Sequence, residues 1–184
     1  MHRCGWAKSE QMIKYHDKEW GVTLHNDKKL FEFLVLEGMQ AGLSWEIILR
    51  KREGFRKAFH KFDPKKMSKY SENDVARLMN DTGIIRNMQK ISAAINNAQR
   101  FLEIQRKFGS FDKYVWNFVN NKPIKNKFTI LSQLPAKTKI SDALSEDLKK
   151  HGFKFVGSTI CYAHMQATGM VNDHLTRCFR YNEV

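Results

Sequence analysis

Cysteine is too scarce in this chain for a disulfide scaffold: only Cys4, Cys161 and Cys178 occur in 184 residues. A chain of this length buries enough core to fold without such staples, so metal binding or packing is the better use for them. Acidic residues are in deficit, 19 against 32 Lys plus Arg, for a net charge of +13 spread along the chain. A broadly basic folded domain suggests a polyanionic partner. No apolar run approaches the roughly 18 residues that would span a bilayer, and Met1 to Trp6 has no apolar leader region. A cytoplasmic protein is therefore expected. Two-residue alternation, low-complexity segments and solenoid-length repeats are absent or nearly so, and only three prolines interrupt the helical periodicity.

What is present is a succession of helices, and an all-α fold is expected. Asn26 or Asp27 caps a helix that carries Leu30, Phe31, Phe33, Leu34 and Glu37 and stops at Gly38 and Gly42. Ser44 caps the next, from Trp45 to about His60, whose Arg50, Lys51, Arg52, Arg56 and Lys57 predict a positive outer face. Asp63-Pro64 and Ser71 open short helices, and a glycine turn at Gly83 precedes a helix that stops at Gly109. Ser110 starts a helix through Trp116, and a long polar connection follows from Lys122-Pro123 to about Ile140. Ser141 is read as the cap of a helix ending at His151-Gly152, before a last core helix with Cys161, Tyr162 and Met165.

The stretch Glu37-Gly38-Met39-Gln40-Ala41-Gly42-Leu43-Ser44-Trp45 organises the rest. At about 100° per residue, Leu30, Phe33, Leu34 and Ala41 share the face of Glu37, so this acid is predicted to be buried. A buried carboxylate is either satisfied by donors or present for chemistry, and the pattern weighs these about equally. Tyr15, Trp20 and Trp45 suit the walls of a site for a flat base, with core packing as the alternative. Trp6 and Trp116 pose the same choice, and Trp116 falls to the core. Cys161 and His164 read as core residues.

His174 and Cys178 have the spacing at which one helical turn projects two metal ligands. Cys4 and His16 form a second pair near the other terminus. Together they make a Cys2His2 set of the kind structural zinc prefers, which would tie the chain ends together. Unrelated core positions are the alternative. Gly83 to Lys90 reads as the tip of a helix-hairpin-helix whose amides could meet a phosphate, or as a plain helix connection.

These residues resemble the bacterial 3-methyladenine DNA glycosylase I enzymes of the helix-hairpin-helix glycosylase superfamily. The resemblance runs nearly end to end. It rests on Arg3-Cys4-Gly5-Trp6, Tyr15 to Val22, Leu36-Glu37-Gly38 with Gln40 to Trp45, Gly83-Ile84-Ile85-Arg86, and Gly152 to Gly157 through Asn172-Asp173-His174. It implies a structural zinc on Cys4, His16, His174 and Cys178. Glu37 and Tyr15 would contact the excised base, Trp45 would stack on it, and Trp6 and Trp20 would complete the pocket. Gly42 and Leu43 would enter the DNA stack, and Gly83, Arg86 and Lys90 would grip the backbone. The sequence departs from the wider superfamily in lacking the hairpin proline, with Ile85 at the second glycine position, and in having no clear downstream catalytic aspartate. Met12 stands where some relatives carry an aromatic.

The implied activity is hydrolytic excision of 3-methyladenine from double-stranded alkylated DNA by a monomer, with the free base and an abasic site as products. Glu37 is the one catalytic candidate. A single unit is expected over residues 1–184, with a helical core at about 27–140 and the termini, 1–26 and 141–184, packed around zinc. The competing reading is a non-catalytic, zinc-stabilised DNA-binding module, for which the basic faces and hairpin suffice. An RNA-binding protein is the third.

Overall fold

Short polar side chains start most of the helices in the computed structural model, which describes residues 2–184. Ser9, Asn26, Ser44, Asp63, Asn87, Ser110 and Thr138 each accept a backbone N–H from the first turn they precede. Such caps satisfy amides that the helix itself leaves open. The elements they open are α1 (Glu10–Lys18), α2 (Asp27–Gln40), α3 (Trp45–Ala58), α4 (Pro64–Met67), α5 (Glu72–Asn80), α6 (Met88–Phe108), α7 (Phe111–Trp116), α8 (Lys139–Lys150) and α9 (Ser158–Ala167). Ser71 and Asp74 form a capping box at the start of α5. At α8 the expected cap shifts: Thr138 holds that position and Ser141 is its capping-box partner, its Oγ accepting from Thr138 N at 2.8 Å.

The architecture is mostly helical, with one departure from the all-α expectation. Two short strands, β1 (Ile124–Lys125) and β2 (Val171–Asn172), pair in parallel, Ile124 against Val171 and Lys125 against Asn172. Segments of two residues are too short to leave an alternating pattern. The pairing pins the long polar connection to the chain segment that follows α9.

Helix α2 runs through the centre, buried at every position from Leu30 to Met39. Gly38 does not end it; the helix continues to Gln40, and the left-handed turn falls at Gly42, φ +77°. An interior glycine weakens a helix by only about 1 kcal/mol, which burial on all sides outweighs. The larger core runs from Leu30 to Val171 and includes Leu144, Leu148 and Tyr162, so α8 and α9 pack into it. A second cluster gathers Cys4, Tyr15, Trp20, Phe33, Ala167, Leu175 and Cys178. Trp116 is buried and donates Nε1–H to Leu24 O at 3.0 Å. Cys161 and His164 are buried as expected, and burial pushes the His164 imidazole down to about 4, so it is neutral.

The positive outer face of α3 is partly internal. Arg52 turns inward and pairs with Glu32 at 2.6 Å and Glu19 at 2.7 Å, while Arg56 reaches Glu32 at 2.8 Å and also pairs with Glu53. Glu32 is the second buried acid of α2, and unlike Glu37 it is paired, its Oε1 accepting from the guanidinium groups of both Arg52 and Arg56.

Candidate active site and metal cluster

Glu37 lies 3% exposed on α2 at the base of a cavity of roughly 290 Å³, at the small end of the range usual for ligand clefts. Tyr15 of α1, Trp45 of α3, and Trp6 and Trp20 from the flanks of α1 wall it. The rings meet at steep angles: Trp6 and Trp20 edge-on with centroids 5.0 Å apart, Tyr15 and Trp45 tilted at 5.5 Å. All five residues expected to meet a base are thus brought to one cavity. Met12, Gln40, Leu134, Ala163 and Gln166 complete the lining. Leu134 comes from the long connection and Ala163 and Gln166 from α9, positions with no local signal in the sequence.

Among the described residues, two buried polar atoms of the cavity lining have no hydrogen-bond partner, Glu37 Oε2 and Trp45 Nε1. Burial in these apolar surroundings pushes the Glu37 carboxyl from its ordinary 4.5 up to about 8. Burial, then the nearby Glu37 and Glu19, hold the Tyr15 phenol well above its usual range, so it stays protonated. A native interior leaves such atoms unpaired rarely, and each is a site a ligand can satisfy.

The folded state holds a proton on Glu37 that the unfolded chain releases above about pH 4.5. Its contribution to stability is therefore full below pH 4.5 and is lost as the pH rises to about 8, on the order of 5 kcal/mol at roughly 1.4 kcal/mol per pKa unit. Chemical denaturation of wild type and Glu37→Gln across this window is expected to show the wild type losing stability relative to the variant as pH rises. Parallel curves would mean that Glu37 is ionised in the empty cavity.

Between the lining residues Gln40 and Trp45, Gly42 is exposed, with open space for 4 Å around the place a Cβ would occupy, and Leu43 is half-buried. Leu43 N donates to Gln40 O at 2.6 Å and Gln40 Nε2 returns to Leu43 O at 3.3 Å, which stiffens this turn. Lys90, expected on the backbone-gripping hairpin, is instead buried, and its Nζ donates to Met39 O at 2.9 Å and to Ala41 O. It caps the carboxyl end of α2, where open carbonyls favour a cation. Lys90→Met is expected to cost about 1–3 kcal/mol in a urea melt and to leave the salt dependence of DNA binding unchanged. A shallower salt slope would return Lys90 to the phosphate contacts.

Helices α5 and α6 are joined by residues 81–87. Here Gly83 N donates to Asp81 Oδ1 at 2.7 Å, so that amide is already engaged. Lys51 Nζ holds Thr82 O at 2.7 Å, and a Cβ on Gly54 would lie 2.3 Å from Gly83 O. The turn is thus seated on α3 by a close approach that only glycine permits. Arg86 and Gln89 are exposed beside the first turn of α6.

Cys4, His16, His174 and Cys178 come together, all buried, with ligand atoms within 4.8 Å of one another. Cys178 Sγ lies 3.4 Å from His16 Nε2 and 3.5 Å from His174 Nδ1, and Cys4 Sγ lies 3.7 Å from His174 Nδ1. Tetrahedral bonds of about 2.0–2.3 Å would separate ligand atoms by roughly 3.3–3.8 Å, so these three spacings match ligands around one ion, and the four residues could hold a metal. The remaining ring nitrogens are occupied: His16 Nδ1 by Asp17 at 2.7 Å and His174 Nε2 by Trp20 O at 3.0 Å. Those partners direct the other lone pairs toward the cluster, as around bound metals. His174 and Cys178 lie in an irregular turn after β2 and not on a helix, because β2 and Asn172 Oδ1, accepting from His174 N at 3.1 Å, set that path. Trp20 belongs to both sites, its ring 4.6 Å from that of His174 and its edge in the cavity.

Comparison with known proteins agrees along the whole chain. The methyladenine glycosylase family matches residues 6–181. DNA-3-methyladenine glycosylase 1 of Escherichia coli strain K12 is 52% identical over 182 residues, 98% of this chain and 97% of that protein. A crystal structure of 3-methyladenine DNA glycosylase I superposes with a TM-score of 0.95 at 50% identity, covering 97% of this chain and 98% of that one. A variant of 3-methyladenine DNA glycosylase I in complex with 3-methyladenine gives a TM-score of 0.94 at 36% identity, covering 97% of each chain. Matched by the family over residues 6–181 and 52% identical to a relative over 98% of its own length, the chain belongs to the methyladenine glycosylase family.

Proposed function

We propose that this chain is a DNA repair enzyme that flips 3-methyladenine out of alkylated duplex DNA and hydrolyses its N-glycosidic bond. The observation that carries this is Glu37, an acid buried among aromatic rings whose Oε2 has no donor among the described residues. In DNA the methylated base is a cation. Stacked on Trp45 beside Glu37, which gives up its proton to solvent as the cation enters, it gains cation–π and Coulomb energy that neutral adenine lacks, with the cation–π share about 2 kcal/mol when desolvated. Its charge also makes it a good leaving group, so no strong base is required. Water adds at C1′, the base departs neutral with the bonding electron pair, and a proton is released.

Tyr15 supplies a phenol hydroxyl at the base, with Trp6 and Trp20 closing the pocket. Gly42 and Leu43 suit the wedge that fills the space of the flipped nucleotide, whose unstacking costs a few kcal/mol. Arg86 and the opening turn of α6 grip the backbone as part of a helix-hairpin-helix, Gly83 serving to shape the turn. Zinc held by Cys4, His16, His174 and Cys178 is structural, since four protein ligands leave no open position for chemistry. The protein acts as a monomer in the cytoplasm.

Methylated duplex DNA incubated with the protein is expected to release free 3-methyladenine and leave abasic sites, read by chromatography of the soluble bases. Tight binding with no released base would instead make this a non-catalytic DNA-binding module. Arg86→Ala is expected to lower the salt slope of DNA binding by about one.

A further inference from the structure

We infer that Gln166 is a specificity-determining residue of the base pocket, and that Asp173 positions it by locking its amide so that the carbonyl oxygen faces the ligand. The inference rests on the glycosylase reading and deepens it. Gln166 lines the cavity from α9, and its Nε2 donates to Asp173 Oδ2 at 2.7 Å. A carboxylate oxygen accepts and does not donate, so this contact admits only one amide orientation. Oε1 is then left without a donor among the described residues and is not shut away from solvent, on a side chain that lines the cavity.

Asp173 is itself held on every side. It is 1% exposed, Oδ2 also takes the Tyr162 hydroxyl at 2.7 Å, and Oδ1 takes Asn126 Nδ2 at 2.7 Å. A carboxylate with this many donors is a rigid anchor. The pocket therefore presents two oxygen acceptors, Glu37 and Gln166. An adenine-type base carries an amino group on its six position and a guanine-type base a carbonyl there. The amino group can donate to these oxygens, and the carbonyl would meet them lone pair to lone pair. Gln166 thus helps select 3-methyladenine over 3-methylguanine.

The test is the ratio of 3-methyladenine to 3-methylguanine released from methylated duplex DNA. Gln166→Leu is expected to lower that ratio by roughly tenfold to a hundredfold, because only the amino base loses a hydrogen bond. Asp173→Asn places an N–H where Oδ2 stood, which allows the Gln166 amide to turn and present Nε2. The ratio should then fall at least as far, while release of 3-methylguanine rises in absolute terms. A general structural loss would lower both products together, and circular dichroism and bound metal report folding of each variant. An unchanged ratio in folded Gln166→Leu overturns the inference. Absence of 3-methyladenine release by the wild type overturns the glycosylase reading instead.

Discussion

Glu37→Gln is expected to lower kcat/KM for release of 3-methyladenine by about a thousandfold while the protein folds as before and melts no lower than wild type. The size follows from Coulomb energy: opposite charges about 4 Å apart gain roughly 4 kcal/mol at an effective dielectric constant of 20, or about three decades in rate. The amide keeps the shape of the side chain and cannot take on the charge that Glu37 acquires when the cationic base binds. Its effect on stability has the opposite sign from its effect on activity, because the acid is buried with Oε2 unpartnered and its ionisation in the empty cavity is penalised. A group retained at the expense of stability is the signature of a functional site. Single-turnover assays on methylated duplex DNA, run beside thermal melts, check both halves. Wild-type turnover by the variant would remove Glu37 from the mechanism, and a collapsed melt would recast it as structural.

Removal of the zinc proposed for the Cys4, His16, His174 and Cys178 cluster is expected to have the larger effect on stability. Structural zinc in sites of this type contributes on the order of 10 kcal/mol of apparent binding energy, comparable with the total stability of a domain. Cys4 and Cys178 join opposite ends of the chain, and His16 and Trp20 bind this cluster to the cavity wall. Cys178→Ser, or chelation under mild denaturant, should therefore detach both termini, lower the melting temperature steeply and abolish base release together. Elemental analysis should find one zinc per chain in the wild type. A metal-free protein with undiminished melting temperature and activity would show that the four residues are a packing cluster only. The thiols carry part of this expectation: burial pushes the Cys4 thiol up to about 12, an environment in which a thiolate needs a cation beside it.

Much of this molecule was legible in local pattern. The capping residues Asn26, Ser44, Asp63, Ser71 and Ser110 mark their helices because an N-cap acts within three residues of itself. The burial of Glu37 follows from helical periodicity in a segment apolar on most faces. The metal set and the aromatic walls were nominated by residue type, and resemblance to a known family supplied their roles.

Other features belong to the tertiary structure alone, and they share one physical cause: each depends on atoms far apart in the chain. Lys90 looks like any surface lysine beside a hairpin, yet its ammonium caps α2 across the core. Gly54 gives no hint in α3 that a carbonyl of Gly83 rests against it. Glu32 and Glu37 lie on the same buried helix, and only packing decides that Arg52 and Arg56 neutralise the first while no donor reaches Oε2 of the second. The sequence by itself determined a basic, helical chain with a buried acid and four candidate metal ligands, since periodicity and composition act over a few residues. That this acid stands unpartnered in an aromatic cavity was decided by the fold, because the absence of a partner is a property of everything packed around it.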